Sequence, residues 1–291
     1  MYICIQMMPM LPLTITTIQT NLVWENKVAN LQALEKKIVE LEEKTEIIVL
    51  PEMFSTGFSM QPQLLAETMD GESVQWMKDI AAKNKIILTG SLIIKENDLF
   101  YNRLIWMLPN GQFGHYDKRH LFAFAEEDKY YTAGNKRLIA SVKGWKINLQ
   151  VCYDLRFPVW SRNRVIQTDT KPEESSSAPT GTIAKDGVCP EYDMLIYVAN
   201  WPERRNHAWK TLLCARAIEN QCYVIGVNRV GRDGNNINHS GNSLVIDPLG
   251  EVLYHMADEE DVSTITLQRE RLEEVRTKFP FWKDGDDFSF R

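Results

Sequence analysis

Cys152 stands where an apolar strand pattern gives way to a polar segment. Residues 147–151 alternate between apolar and polar types, which is typical of a half-buried strand, and Pro158 suits the first turn of a helix. Cys152 would then lie at a sharp strand-to-helix turn, with the backbone N–H of Tyr153 directed at whatever the sulfur attacks. Because a cysteine at a strand end is more often a small buried hydrophobe, this position alone indicates only a candidate nucleophile.

Two further strand ends carry charged side chains. The β-branched run 47–50 stops just before Glu52, and the run 113–117 stops just before Lys118. Each charge alone is more often a solvated loop residue. In parallel α/β architectures, however, functional groups gather at the carboxyl ends of strands. We therefore predict that Glu52, Lys118 and Cys152 meet in one crevice.

Three segments that contain these residues resemble the catalytic blocks of the nitrilase superfamily of carbon-nitrogen hydrolases. The segments are 50–58, 116–122 and 151–163. Members of that superfamily carry a Glu-Lys-Cys triad at three such places. Within it, three other segments resemble the omega-amidase branch of the YafV type; they are 197–202, 215–221 and 226–231. The resemblance covers nearly all of residues 13–288.

The resemblance implies a fold and a mechanism. The fold is an α/β, four-layer α-β-β-α sandwich, which periodicity alone does not distinguish from a doubly wound sheet. Glu52 would be the base that takes the Cys152 proton and returns it to departing ammonia. Lys118, with the Tyr153 N–H, would hold the oxyanion on the way to a thioester on Cys152. A second glutamate often assists in this superfamily, and the spacing from Gly134 favours Glu127 over Glu126.

The branch resemblance implies a substrate class, the omega-amides of 2-oxo dicarboxylic acids such as 2-oxoglutaramate and 2-oxosuccinamate. These carry a free carboxylate, which a bidentate arginine suits. Arg156, Arg204 and Arg205 are the candidates, although the last two also fit a pair of surface residues flanking a helix. Trp201 is a candidate pocket wall or, alternatively, a packing residue.

Other functions remain open. An N-carbamyl amino acid amidohydrolase, a nitrilase or a ureide hydrolase would keep the same triad, whereas a non-catalytic binding protein on this scaffold should have lost part of it. A papain-like enzyme needs a histidine partner and a different cysteine context. A serine hydrolase needs a G-x-S-x-G motif, and the sequence contains none.

Composition limits the partners. The 291 residues are 44% hydrophobic, which suits one α/β domain, and the net charge of −6 disfavours a nucleic acid or membrane partner. The five cysteines lack C-x-x-C spacing and the five histidines are scattered, so we expect no metal and no cofactor. We expect a cytoplasmic enzyme with a small-molecule amide substrate, and the superfamily resemblance implies a homodimer or higher homo-oligomer.

Along the chain, strand and helix patterns alternate from residue 13 onward. We predict an N-terminal tail over 1–12 and a single domain over 13–291, with turns at 109–111 and 247–250 closing two hairpins. Helical spacing occurs at 26–43, 73–83, 206–219 and 268–278. Residues 167–190 are rich in Thr, Pro, Glu, Ser and Gly and form a polar insertion relative to the branch. It is either a tolerated surface loop or a lid over the site.

Overall fold

The computed structural model describes residues 11–167, 187–286 and 288–289. The strands of this part of the chain are Leu13–Gln19 (β1), Ile47–Val49 (β2), Ile87–Glu96 (β3), Leu99–Met107 (β4), Phe113–Asp117 (β5), Leu138–Val142 (β6), Trp145–Val151 (β7), Val165–Gln167 (β8), Val188–Pro190 (β9), Met194–Ala199 (β10), Tyr223–Asn228 (β11), Val230–Arg232 (β12), Asn238–Ile246 (β13), Val252–Ala257 (β14) and Asp261–Leu267 (β15). The α-helices are Lys27–Val39 (α1), Pro62–Leu65 (α2), Glu72–Asn84 (α3), Glu127–Tyr130 (α4), Pro158–Ser161 (α5), Asn206–Asn220 (α6) and Arg269–Lys278 (α7).

Two mixed sheets dominate the fold. The first has the order β15-β1-β2-β3-β4-β5, and the second has the order β12-β13-β11-β10-β7-β6, with β14 paired to β13. Parallel pairing joins β1, β2 and β3 in the first sheet and β7, β10 and β11 in the second. The remaining pairs are antiparallel. The carboxyl ends of the parallel strands are therefore free to present side chains at the same edge of each sheet.

The sheets pack face to face with helices outside them. Ile47 and Trp106 of the first sheet share an inner core with Leu149 and Ile196 of the second. On the outer face of the first sheet, α1 and α3 bury apolar side chains such as Met77. On the outer face of the second sheet, α6 does the same. The predicted four-layer α-β-β-α sandwich is confirmed.

Most predicted elements form near their predicted positions. The four long helices lie within the predicted ranges or extend them by one residue, and both predicted turns connect antiparallel strands, β4 with β5 and β13 with β14. The short edge strand β6 was not predicted. It has only five residues, of which only Ala140 is fully buried, so its sequence lacks a clear alternation.

Two sequence predictions fall largely outside the described residues. The predicted insertion begins and ends in a ribbon, because β8 pairs antiparallel with β9, but residues 168–186, on which the loop and lid hypotheses depend, are outside the described part. Residues 1–10 of the predicted tail are also outside it. Leu11 and Pro12 are anchored, since their carbonyls accept hydrogen bonds from Trp145 Nε1 and Lys143 Nζ, each at 3.0 Å.

Candidate active site

Cys152 lies immediately after β7, at the start of a 3-10 turn that spans Cys152–Arg156. Its φ of +46° is in the left-handed region, which residues other than glycine rarely adopt. The buried Asp154 carboxylate stabilises the turn by accepting hydrogen bonds from Val151 N at 3.0 Å and Tyr116 Oη at 2.7 Å. Strained backbone of this kind persists where surrounding contacts over-determine it. The turn exposes the thiol at a cavity.

Glu52 follows β2 after Leu50 and Pro51, and its side chain is fully buried. Its Oε1 accepts a hydrogen bond from Lys118 Nζ at 2.9 Å, and its Oε2 accepts one from the Asn200 backbone N–H at 2.8 Å. The Asn200 side-chain amide also donates to the Glu52 carbonyl oxygen. Both oxygens of the carboxylate are thus fixed by donors from different sheets.

Lys118 follows β5 and is also fully buried. Its Nζ lies 2.9 Å from Glu52 Oε1 and 2.9 Å from Glu127 Oε2, and 5.1 Å from the centre of the Phe58 ring. Burial alone would lower the pKa of Lys118, but the charges of Glu127 and Glu52 outweigh it and hold the pKa above its ordinary value. Lys118 therefore stays cationic across the physiological range.

Glu127 opens the short helix α4 and points inward, whereas Glu126 is exposed and pairs with Lys129. Besides Lys118, Glu127 Oε2 accepts a hydrogen bond from the Phe122 backbone N–H at 2.6 Å. Burial raises the pKa of Glu127 and the charge of Glu52 raises it further, while Lys118 opposes both. The structure thus brings the predicted glutamate of the pair, and not its neighbour, to the cluster.

The Cys152 thiol is electrostatically disfavoured as a thiolate. Burial raises its pKa well above the ordinary value and the negative charge of Glu52 raises it further, against the opposing effect of Lys118. At rest the sulfur is therefore protonated, and the Glu52 carboxylate is among the charges that disfavour its ionised form.

The cavity beside Cys152 has a volume of about 420 Å³ and a strongly basic wall. Lys118, Cys152, Tyr153 and Asn200 line it, together with every arginine that the sequence predicted for substrate binding and with Trp201. Trp201 is buried and packs under a guanidinium, because Arg156 Cζ lies 5.0 Å from its ring centre. The tryptophan is both a wall and a packing residue.

The three arginines share a property that matters for binding. In the described part of the chain, Arg156, Arg204 and Arg205 have no carboxylate within 4.0 Å of their nitrogens. Arg205 Cζ lies 4.9 Å from the centre of the Phe122 ring. Burial lowers the pKa of Arg205 and the charge of Arg204 lowers it further. Such a cluster is a site that an anion would neutralise.

The sequence predictions missed two side chains of the cluster. Asn102 Nδ2 donates to Glu52 Oε1 at 2.8 Å and to Glu127 Oε1 at 3.2 Å. Asn200 holds Glu52 as described above. Asn200 follows the carboxyl end of β10 and was detectable by the rule that identified the triad. Asn102 lies inside β4, and no local signal distinguishes it from other polar strand residues.

Two classes of site are absent from the described residues. No group of three or more His, Cys, Asp or Glu side chains there is arranged to hold a metal ion. Among the same residues, no helix is both long enough and apolar enough to cross a membrane.

Comparison with known proteins gives consistent matches over nearly the whole chain. A family model described as carbon-nitrogen hydrolase matches residues 14–165 and 190–277. Omega-amidase YafV of Escherichia coli strain K12 is 40% identical over 278 residues, which cover 95% of this chain and 98% of that protein. A 2-oxoglutaramate amidase of Bacillus subtilis strain 168 is 31% identical over 274 residues, covering 93% of this chain and 96% of that protein.

A solved structure matches equally well. The crystal structure of a CN-hydrolase superfamily protein from Xanthomonas campestris, which holds an arsenic adduct in its active site, aligns with a TM-score of 0.88 and 41% sequence identity. The alignment covers 97% of this chain and 100% of that one. Sequence and backbone therefore identify the same family.

Proposed function

Since this chain belongs to the carbon-nitrogen hydrolase family, we propose that it is an omega-amidase, which hydrolyses the amide of 2-oxo dicarboxylic acid monoamides to the acid and ammonia. The observation that carries the proposal is the combination, in one cavity, of the Cys152 thiol and three arginines that have no carboxylate partner among the described residues. The thiol supplies the means of amide cleavage. The arginines favour an amide substrate that also carries a negative charge.

In the first half of the reaction, Glu52 accepts the thiol proton as the Cys152 sulfur bonds to the amide carbon. The carbonyl oxygen becomes an oxyanion, held by Lys118 and by the Tyr153 backbone N–H. An ammonium has three N–H groups, so Lys118 can keep its bonds to Glu52 and Glu127 and still direct one donor into the cavity. One such donor lowers a barrier by about 3 kcal/mol.

Collapse of the tetrahedral intermediate breaks the carbon–nitrogen bond. Glu52 passes its proton to the leaving nitrogen, ammonia departs, and a thioester remains on Cys152. A water molecule then gives a proton to Glu52 as its oxygen bonds to the thioester carbon. The carbon–sulfur bond breaks, Glu52 returns the proton to the sulfur, and the acid is released. Glu52 thus handles each proton in both halves.

The substrate carboxylate would be bound at the basic wall. The relatives named omega-amidase and 2-oxoglutaramate amidase support this class of substrate. Arg205 and Arg156 are stacked on Phe122 and Trp201, so their planes are held in place before substrate arrives. A planar, fixed guanidinium binds a carboxylate through two parallel hydrogen bonds.

Ammonia release over a small panel of compounds tests the proposal. We expect 2-oxoglutaramate and 2-oxosuccinamate to give the highest kcat/KM, well above neutral amides of the same length, nitriles and N-carbamyl amino acids. Arg205→Met should raise KM for the anionic amides by about tenfold or more, the value of a hydrogen bond between charged groups, and should leave the neutral amides nearly unaffected. Higher activity on a nitrile or an N-carbamyl amino acid would assign the enzyme to another branch.

The proposal extends to assembly with copies of the same chain. Large apolar side chains are exposed on α6 and on the adjoining turn and strand, where Ile218 is 53% exposed and Leu253 49%. Exposed apolar side chains close together are typical of an association surface. Light scattering after size exclusion should give a mass of at least twice the 33.7 kDa of one chain, and a monomer at micromolar concentration would contradict this part.

A further inference from the structure

Asn102 stands between the two buried carboxylates of the site, although it touches neither the sulfur nor the cavity. It lies in β4, opposite Ile93 of β3, and its side chain has no solvent exposure. Its Nδ2 is 2.8 Å from Glu52 Oε1 and 3.2 Å from Glu127 Oε1. One amide nitrogen therefore donates one N–H to each carboxylate.

The charges of the cluster do not balance. Glu52 and Glu127 are two potential negative charges, Lys118 is one positive charge, and all three side chains are fully buried. Two carboxylates close together in a buried site compete for ionisation unless donors stabilise both. The Asn200 and Phe122 backbone N–H groups supply one donor to each. Asn102 is the donor that the two carboxylates share.

The orientation of the Asn102 amide is dictated by this role. Its Oδ1 is buried and has no hydrogen-bond partner in the described part of the chain. If the amide were rotated, Oδ1 would face the oxygens of Glu52 and Glu127, which accept hydrogen bonds and cannot donate them. A buried carbonyl without a partner carries a free-energy cost, and here the contact of Nδ2 with the carboxylates offsets it.

We infer that Asn102 is a positioning residue for the reaction, which fixes Glu52 in the cluster and favours the charged form of its carboxyl group by donating one N–H to Glu52 and the other to Glu127. The inference rests on the proposed function only in so far as Glu52 is the base for Cys152. It gives a residue in the middle of β4 a role in positioning the base, whereas the other groups of the cluster follow the ends of strands.

The other ionisable groups that face this cluster are few. Lys118 follows β5, Cys152 follows β7, and Tyr131 follows α4 with its hydroxyl donating to the Ser59 carbonyl oxygen. Arg205 interacts electrostatically with Cys152 and not with the two carboxylates. Removal of Asn102 leaves all of these in place. The expected effect is therefore a change in the pH at which the carboxylates take up a proton, and the direction is upward, because the ionised forms lose a donor.

Alkylation of Cys152 by iodoacetate measures this without any amide substrate. The sulfur bonds to the methylene carbon, iodide leaves, and the thiol proton goes to Glu52, so the rate should rise with pH as Glu52 becomes ionised. Mass spectrometry of the peptide that contains Cys152 follows this site apart from the other cysteines. In Asn102→Ala, the midpoint of the acid limb should move up by about one pH unit, as expected for the loss of one hydrogen bond to a charged group.

A graded series and a matched control separate positioning from packing. Asn102→Ser keeps one donor and should shift the limb by less than Asn102→Ala. Asn148→Ala also removes a fully buried asparagine from a strand, one whose amide has no hydrogen-bond partner in the described residues, and should leave the limb unmoved.

An unshifted limb in both Asn102 variants, or an equal shift in Asn148→Ala, would overturn the inference. Failure of both Asn102 variants to fold, with Asn148→Ala folded, would assign a structural role and overturn it as well. Since no amide is used, a positive result stands even if the ammonia-release panel rejects the omega-amide substrates.

Discussion

At the scale of single residues, the proposed mechanism depends on a protonated thiol close to the Glu52 carboxyl group. Burial and the charge of Glu52 raise the pKa of Cys152, so in the proposed mechanism the sulfur becomes nucleophilic only as its proton leaves for Glu52. This arrangement avoids a standing thiolate, which would be open to oxidation, and it makes the carboxylate as necessary as the sulfur.

Substitution of the two residues tests that dependence. We expect Cys152→Ala to abolish ammonia release and Glu52→Gln to lower kcat by about 10²-fold or more, since general acid–base catalysis contributes about 10²- to 10⁴-fold. Cys214→Ala is the control, because Cys214 is partly exposed on α6 and does not line the cavity. Substantial amidase activity in Cys152→Ala would contradict the mechanism.

How much of the site the sequence reveals depends on where each residue stands. Glu52, Lys118 and Cys152 each follow a strand, so strand ends and the family blocks locate them. Asn102 lies in the middle of β4, and its importance arises from a carboxylate fifty positions away in the chain. Contacts of that kind depend on the order in which distant strands pair, which the local pattern of β4 does not show.

At the scale of elements, Asn228 at the end of β11 fixes the backbone that holds the base. Its Oδ1 accepts from Trp201 N at 2.8 Å and its Nδ2 donates to Trp201 O at 3.0 Å. Trp201 follows Asn200, whose N–H binds Glu52. The end of one strand therefore supports the loop after another, and through it the catalytic cluster.

The Asn228 contact predicts a selective loss of activity. In Asn228→Ala we expect kcat/KM to fall by about 10- to 100-fold, since small displacements of a catalytic group are costly. Asn163→Ala is a matched control, because Asn163 binds the Tyr192 backbone in the same way. Its Oδ1 accepts from Tyr192 N at 3.1 Å and its Nδ2 donates to Tyr192 O at 2.9 Å. Urea unfolding should show similar destabilisation in both variants. An equal loss of activity in both variants would show that the loss comes from general destabilisation and not from the position of Glu52.

The C-terminal helix is attached by a buried ionic cluster. Asp193 accepts from Arg269 Nη1 at 2.8 Å and from Arg276 Nη1 at 2.7 Å, both on α7. Burial alone would raise the pKa of Asp193, but Arg276 and Arg269 hold it below its ordinary value. The cluster joins α7 to the start of β10.

Asp193→Asn should lower the free energy of unfolding by about 3–5 kcal/mol, because it leaves two buried arginines without their partner. A carboxyl with a lowered pKa in the folded state stabilises above its unfolded pKa, so the difference between variant and parent should shrink as the pH falls below about 4. Urea unfolding at several pH values measures this. Glu40→Gln, which removes an exposed pair with Lys36, should change nothing measurable. A difference in Asp193→Asn that is as large at pH 3 as at pH 7 would contradict the assignment.

The longer elements were predictable because their patterns are regular, and the failures have local causes. The strand patterns predicted at 86–91 and 243–246 are shorter than the strands that form, because β3 runs to Glu96 and β13 begins at Asn238. Their ends are formed by backbone pairing with β4 and with β12 and β14. Hydrogen bonding to a neighbour extends a strand where its own residues give no signal.

At the scale of the whole molecule, the two sheets pack face to face, as in the fold that the family resemblance implied. The superfamily resemblance that the sequence suggested is confirmed by the family model and by relatives that are about equal in length to this chain. The layer order could not be read from periodicity, because a doubly wound sheet gives the same alternation of strands and helices. The knowledge of a family decided it.

The overall charge and the local charge of the molecule oppose each other. The chain carries a net charge of −6, whereas the cavity wall carries three arginines. An anionic substrate is therefore drawn to the cavity only over short range, where the arginines dominate. Salt screens such attraction over about 8 Å at physiological ionic strength.

Salt should consequently act differently on charged and neutral substrates. Between 50 mM and 500 mM sodium chloride, we expect kcat/KM for 2-oxoglutaramate to fall severalfold, while that for a neutral amide of similar length changes little. Steady-state ammonia release at constant pH measures both. The same salt dependence for both substrates would remove the arginines from binding.

Glu52 and Lys118 follow strands of the first sheet, whereas Cys152 and Asn200 follow strands of the second. Neither sheet alone contains a complete reaction centre. During refolding, a population with both sheets formed but not yet docked would have native secondary structure and no hydrolytic power. The return of enzymatic turnover therefore reports the moment at which the halves of the sandwich close on each other.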